Sequence, residues 1–340
     1  MNGYQRTAAA LRGEPVDKTP VMLHCFMMAA REAGLTMRQF REDPRQIARA
    51  FSESVARYGY DAIMVDIDTA TLADAVGVPV EFPEDEPAVC RGARWDSLAG
   101  ICGLPPVDIA QCERVQIWLE AVRLLTKEYK GEVFVRGNCD QAPFSLAALM
   151  RAAEGWMLDI MDPDNEEAAF RLLDYCYEAT SQFLRLMAAT GCDMLSNGDS
   201  SSGSSLISPR LHRKFAHPYE ARLAALSHEL GLPYAQHVCG NARPILADLV
   251  ASGADALELD FKTDSRAAHD ALSGRATLIG NIDPTGVMAL GTPTLVEEKC
   301  RELMAIFADT PRLILNAGCA LPATTPPENL RAMIRVAHGE

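Results

Sequence analysis

The sequence predicts an α/β protein: one (β/α)8 barrel. Three observations carry this expectation. Eight short apolar or β-branched runs recur along the 340 residues, most of them separated by amphipathic helical patterns, and such alternation implies parallel strands joined by right-handed crossovers. The length suits a single barrel domain. No Gly-x-Gly-x-x-Gly turn follows an early run, as an open dinucleotide-binding sheet would require.

The runs lie at 20–26, 60–66, 132–138, 193–199, 234–240, 254–260, 276–283 and 312–319. Between them, Ile47, Phe51 and Val55 recur every four residues, and Val296, Cys300, Leu303 and Phe307 follow the three–four rhythm of a helix face. Ser208-Pro209, Thr292-Pro293 and Thr325-Pro326 each offer a capping hydroxyl with proline at the first helical position. Thr325 with Glu328 also has the spacing of a capping box. Gly231 is placed to end the helix that starts after Ser208. Residues 77–106 break the rhythm with proline, glycine and acidic residues, and are expected to form an inserted hairpin or lid after strand two. Two helices are expected over 145–191, parted at Asp162-Pro163-Asp164.

Composition narrows the class. The chain is 48% hydrophobic and 23% charged, as globular domains are. A net charge of −14 argues against nucleic acid or an anionic membrane as partner. There is no 18-residue apolar run, and Met1-Asn-Gly-Tyr-Gln-Arg6 has no hydrophobic signal core. Ten cysteines are too sparse for a disulfide scaffold in a chain this long. A soluble cytoplasmic protein is expected.

Barrel active sites sit at the C-terminal ends of the strands. Polar residues crowd those ends: Asp66 and Asp68, Asn138 and Asp140, Asn197 and Asp199, His237 and Cys239, Glu258 and Asp260, Asn281 and Asp283, Asn316 and Cys319. Residues two apart share a strand face, so His237 and Cys239 project together. Cys319 supplies a third soft ligand, and three protein ligands with one open position are what a catalytic zinc requires. Glu258 and Asp260 share a face as well, so either could turn inward or cap the following helix. Asp199, in Ser196-Asn-Gly-Asp-Ser-Ser-Ser-Gly203, reads either as a proton-handling carboxylate over the mouth or as an Asx turn. Asn281 and Asp283 either contact a ligand or fix their turn. His212, His217 and His228 share no regular helix face, which points to solvated or capping roles.

Gly280-Asn-Ile-Asp-Pro284 with Gly291-Thr-Pro293, His237-x-Cys239, and Asn316-Ala-Gly-Cys319 with Thr325-Pro-Pro-Glu-Asn329 together carry a resemblance. The sequence resembles the uroporphyrinogen decarboxylase superfamily, and within it the zinc-dependent corrinoid methyltransferases. The likeness runs from Arg12-Gly-Glu-Pro-Val-Asp17 to the C-terminus. It implies a zinc held by His237, Cys239 and Cys319. It also implies an acidic residue soon after Gly253-Ala-Asp-Ala256, where Asp260 aligns better than Glu258 as fourth ligand. Asp66 matches the aspartate that the decarboxylases aim at pyrrole nitrogens. The nearest string to the decarboxylases' Arg-Gln-Ala-Gly-Arg motif is Arg31-Glu-Ala-Gly-Leu35, displaced several residues from Pro20-Val21 and lacking the second arginine, and Cys319 stands where they carry histidine. The resemblance therefore implies methyl transfer between a corrinoid and a small molecule (a thiol, a tetrahydrofolate or a methyl ether). The corrinoid is expected on a separate corrinoid-binding protein or as free cobalamin, with Asp199 and Asp66 as catalytic residues and Asn281 and Asp283 as cofactor contacts.

Overall fold

The computed structural model describes residues 1–101, 103–272 and 274–340. Among the described residues ten strands occur in chain order: β1 (Met22–Leu23), β2 (Ala62–Val65), β3 (Val80–Glu81), β4 (Val89–Cys90), β5 (Phe134–Gln141), β6 (Met194–Gly198), β7 (Tyr234–Val238), β8 (Ala256–Leu259), β9 (Thr277–Ile282) and β10 (Leu313–Ala317). Eight of them form one parallel sheet in the order β1-β2-β5-β6-β7-β8-β9-β10. A parallel bridge between Val21 and Leu315 joins its edges, and the Leu315 N–H donates to the Pro20 carbonyl over 2.8 Å. The result is the expected (β/α)8 barrel.

Alternation along each strand divides two apolar populations. Met22, Met64, Phe134, Met194, Ala235, Ala256, Ile279 and Ile314 pack together, joined by Ala10 and Leu11. Their strand neighbours, such as Val65, Leu195, Leu257 and Leu278, pack among the surrounding helices. There Trp118 meets Phe183 edge to face at 5.5 Å.

Ala10 and Leu11 belong to the helix Gly3–Arg12, which lies across the N-terminal end of the barrel. Asn2 starts this helix by accepting from the Gln5 N–H, with the reciprocal Gln5 contact completing a capping box. Gly3 is needed because a Cβ there would lie 2.6 Å from the Asp61 carbonyl oxygen. Buried Arg6 then pairs with Asp61 and with Asp17, while Asp61 also accepts the Val21 N–H at 2.8 Å.

After β2 and the short helix Thr71–Ala75, β3 and β4 form an antiparallel hairpin, with Val80 opposite Cys90. Buried Arg41 holds it by donating to the Pro83 and Glu86 carbonyls. Pro87 between the two strands reaches the wall of the cavity that His24, Asp66 and His237 also line.

Three local expectations change. The 145–191 region holds three helices, Pro143–Arg151, Ala153–Met161 and Glu166–Ala188, because the chain also breaks at Ala152, whose φ is +57°. Thr325 does not cap the last helix. Its hydroxyl donates to the Pro322 carbonyl at 2.8 Å, and the helix begins at Pro327. His212 is fully buried rather than solvated, 3.3 Å from Glu220, in a π-helical turn His212–Ala216. No helix among the described residues is long and apolar enough to cross a membrane.

Candidate metal centre

β7 turns Ala235 and His237 to the barrel interior, and Cys239, two residues on, keeps that direction. Cys319 arrives just beyond β10. Gly318 lets it do so: a Cβ there would stand 2.4 Å from the Phe261 backbone nitrogen, so β10 passes tightly against the turn after β8. The ligand atoms of His237, Cys239 and Cys319 all lie within 4.8 Å of one another. His237 Nε2 is 3.1 Å from Cys239 Sγ, and the Ser200 hydroxyl is 3.2 Å from the same sulfur. Tetrahedral zinc with Zn–S and Zn–N bonds of ordinary length sets its ligand atoms about 3.5–3.8 Å apart. The three residues fit such an ion with small adjustments, and one coordination position would face the cavity.

Behind His237 stands a buried charge relay. His237 Nδ1 faces Glu258 Oε1 at 3.9 Å, and His24 Nδ1 faces the same oxygen at 3.7 Å. Glu258 Oε2 pairs with Arg136 Nη1 at 2.6 Å, both side chains fully buried. Burial alone would raise the Glu258 carboxyl, but Arg136 and the two histidines outweigh it and hold it at about 2. Burial likewise opposes the charge on His237, yet the adjacent Cys239 sulfur and Glu258 push it up to about 9. A hydrogen bond from Cys319, with His237 beside it, holds Cys239 down at about 3, while the Cys319 thiol is pushed up. The metal-free site is thus a thiolate–imidazolium pair with a neutral second thiol.

This arrangement gives a pH prediction. Since the thiolate is the nucleophile, Cys239 in metal-stripped protein should react with iodoacetamide at pH 5–6, where an ordinary thiol near 8.5 is protonated. Cys319 should stay unmodified. Peptide mapping after brief alkylation at pH 5.5 checks this; equal labelling of both residues would contradict it.

The triad sits in the wall of a cavity of about 220 Å³. Its other walls are His24, Phe26, Met27, Met64, Asp66, Asp68, Asn138, Asp140 and the Ser200 loop, with no lysine or arginine among the lining residues. Asp66 is here as expected, its Oδ2 2.7 Å from His24 Nε2. Asp199 is not. Gly198 lines the cavity, so the next side chain points to the helix layer, where Asp199 accepts from the Ser145 N–H and hydroxyl at 2.9 and 2.6 Å. Burial pushes its carboxyl up to about 8, with Glu220 adding to the effect.

Asp260 stands apart from the triad. Its two oxygens accept the Gly240 and Lys262 N–H groups at 2.8 and 2.9 Å, so it shapes the turns after β7 and β8. Asn281 and Asp283 also lie outside this cavity. Asn281 donates to the Thr263 carbonyl at 2.9 Å and accepts from the Ser265 hydroxyl. Asp283 accepts the Thr285 and Gly286 N–H groups, fixing a turn. Arg136, which the sequence reading passed over, carried one signal: a charged residue inside the apolar run Phe134-Val-Arg136.

The uroporphyrinogen decarboxylase (URO-D) profile matches residues 3–340. The chain belongs to this family. Among family relatives, the methylcobamide:CoM methyltransferase MtbA of Methanosarcina acetivorans is 25% identical, covering 98% of this chain and 96% of that protein. A uroporphyrinogen decarboxylase of Alkalilimnicola ehrlichii is 28% identical over 98% of this chain and 93% of its own. A solved methyltransferase from Methanosarcina mazei superposes with a TM-score of 0.88 at 23% identity, covering 99% of this chain and 98% of that one. Relatives named for both activities therefore match this chain over nearly its whole length.

Proposed function

We propose that the chain is a zinc-dependent methyltransferase that moves a methyl group between a corrinoid and a small molecule. The observation that carries this reading is the convergence of His237, Cys239 and Cys319 on one cavity. Relatives named methylcobamide:CoM methyltransferases support the corrinoid as second substrate, delivered by a corrinoid-binding protein or as free cobalamin at the barrel mouth. When bound, zinc would stabilise a substrate thiol as thiolate near neutral pH or polarise an ether oxygen. Glu258 would orient His237 through Nδ1, leaving Nε2 to the metal. With Asp260 engaged by backbone amides and Glu258 held on the Nδ1 side of His237, the fourth position would be left to the substrate.

Decarboxylation of a propionate-bearing tetrapyrrole fits less well. The cavity of about 220 Å³ is small for it and offers no arginine to its carboxylates. Arg31, in the string nearest the decarboxylases' arginine motif, instead donates to the Ala323 carbonyl at 3.0 Å.

The test has two arms. Purified protein should hold about one zinc per chain, the stoichiometry of a three-ligand catalytic site, and should demethylate methylcobalamin in the presence of a thiol. The same preparation should release no carbon dioxide from uroporphyrinogen. Decarboxylation without methyl transfer would overturn the reading.

A further inference from the structure

Opposite the triad, the cavity wall holds three aspartates, and their partners are unequal. Asp66 pairs with His24 at 2.7 Å. Asp68 accepts the Ala70 and Thr71 N–H groups and the Thr71 hydroxyl at 2.8–3.0 Å. Asp140 is only 2% exposed, and its Oδ2 accepts the Leu72 N–H at 2.8 Å. Its other oxygen, Oδ1, is buried with no partner. A buried carboxylate oxygen without a donor is costly unless a ligand supplies one. Neither Asp68 nor Asp140 forms an ion pair among the described residues.

The backbone is bent to put Asp140 there. The pairing of β5 with β6 slips between Asn138 and Gln141, and Asp140 takes a φ of +56°, unusual for a residue other than glycine. Burial, together with the charge of Asp68, holds the Asp140 carboxyl well above the usual range. A cation or a hydrogen-bond donor brought by a ligand would relieve that position. Phe26, Met27 and Met64 add apolar surface to the same cavity.

We propose that the small-molecule substrate carries a protonated amine, held by Asp140 with Asp68, at the end away from the atom that exchanges the methyl group. This rests on the methyltransferase reading for where the reacting atom sits. An anionic tail is disfavoured by the same geometry, since Asp68 and Asp140 line the cavity without an ion-pair partner and no lysine or arginine is among its described lining residues. Specificity here would differ from that of the relatives named for CoM, which is a sulfonate thiol.

Three thiols of equal reach test this: 2-aminoethanethiol (cation), 2-mercaptoethanol (neutral) and 2-mercaptoethanesulfonate (anion). Their affinities for the zinc-loaded wild-type protein are measured by titration calorimetry, with methyl transfer from methylcobalamin followed in parallel. The cation should bind at least about tenfold more tightly than the anion, the range of one charge-assisted hydrogen bond. Asp140→Asn keeps an acceptor for the Leu72 N–H; it should erase most of that preference and leave the neutral thiol within about twofold. Equal affinities, or preference for the sulfonate, in fully zinc-loaded protein would overturn the amine assignment and leave the zinc reading standing. Failure to bind zinc or any thiol would overturn both.

Discussion

Replacing Cys239 with alanine is expected to abolish zinc binding and methyl transfer while the barrel stays folded. The loss should exceed about a hundredfold in metal affinity, since even changes to residues behind a metal ligand cost 10–100-fold. Fold retention follows from position. Cys239 lies one residue beyond β7, is only half-buried, and is absent from both apolar clusters. Removing its sulfur also removes the anion that holds the His237 proton in metal-free protein, so the imidazole should fall back from about 9 toward its ordinary range. Metal analysis, circular dichroism and methylcobalamin turnover on one preparation decide the matter. A Cys239→Ala protein with full zinc and full turnover would remove the basis of the functional reading.

The triad was legible because two of its members obey the period of a strand and the third closes the last one. Position two residues apart is a local property, and β7 preserves it through His237 and Cys239. Asp199 shows where the same rule had to be applied more strictly. It follows Gly198, so one step in register sends its carboxylate to Ser145 instead of into the cavity. Asp260, expected as the fourth ligand, instead accepts backbone amides from Gly240 and Lys262 on its two oxygens, and such turn geometry has no sequence period.

Three features could not be read from spacing. His212 is buried because a π-helical turn, His212–Ala216, shifts the phase of the helix around it. Asp140, expected at its strand end, does line the cavity, but the register shift that sets its backbone there breaks the period of two. The pairing of Arg136 with Glu258 spans the barrel between β5 and β8, and nothing local in either strand names its partner.

That pair gives the largest expected loss of stability. Arg136→Met should destabilise the fold by about 3–5 kcal/mol, because it leaves Glu258 as an uncompensated buried charge. The Arg136 side chain also donates to the Ser196 hydroxyl at 2.8 Å, so a second buried polar group loses a partner. Against burial, Arg136 is the largest influence holding the Glu258 carboxyl at about 2. Since that lies below the unfolded value near 4.3, the pair's contribution is in place above about pH 4.3 and is lost as pH falls toward 2. In Arg136→Met the carboxyl must rise, so the difference from wild type should be full at neutral pH and shrink in acid. Glu258→Gln strands the opposite charge and should cost a similar amount, while the double variant should lose much less than the sum. Function separates the two single variants further. Glu258→Gln takes the carboxylate from His237 Nδ1 and should weaken zinc binding by about 10–100-fold beyond any loss of fold. Urea unfolding of the metal-free proteins at pH 7 and pH 3, with zinc titration of the folded fraction, measures both effects. An Arg136→Met protein as stable as wild type at pH 7 would mean that the pair is not what holds Glu258, and through it His237, in place.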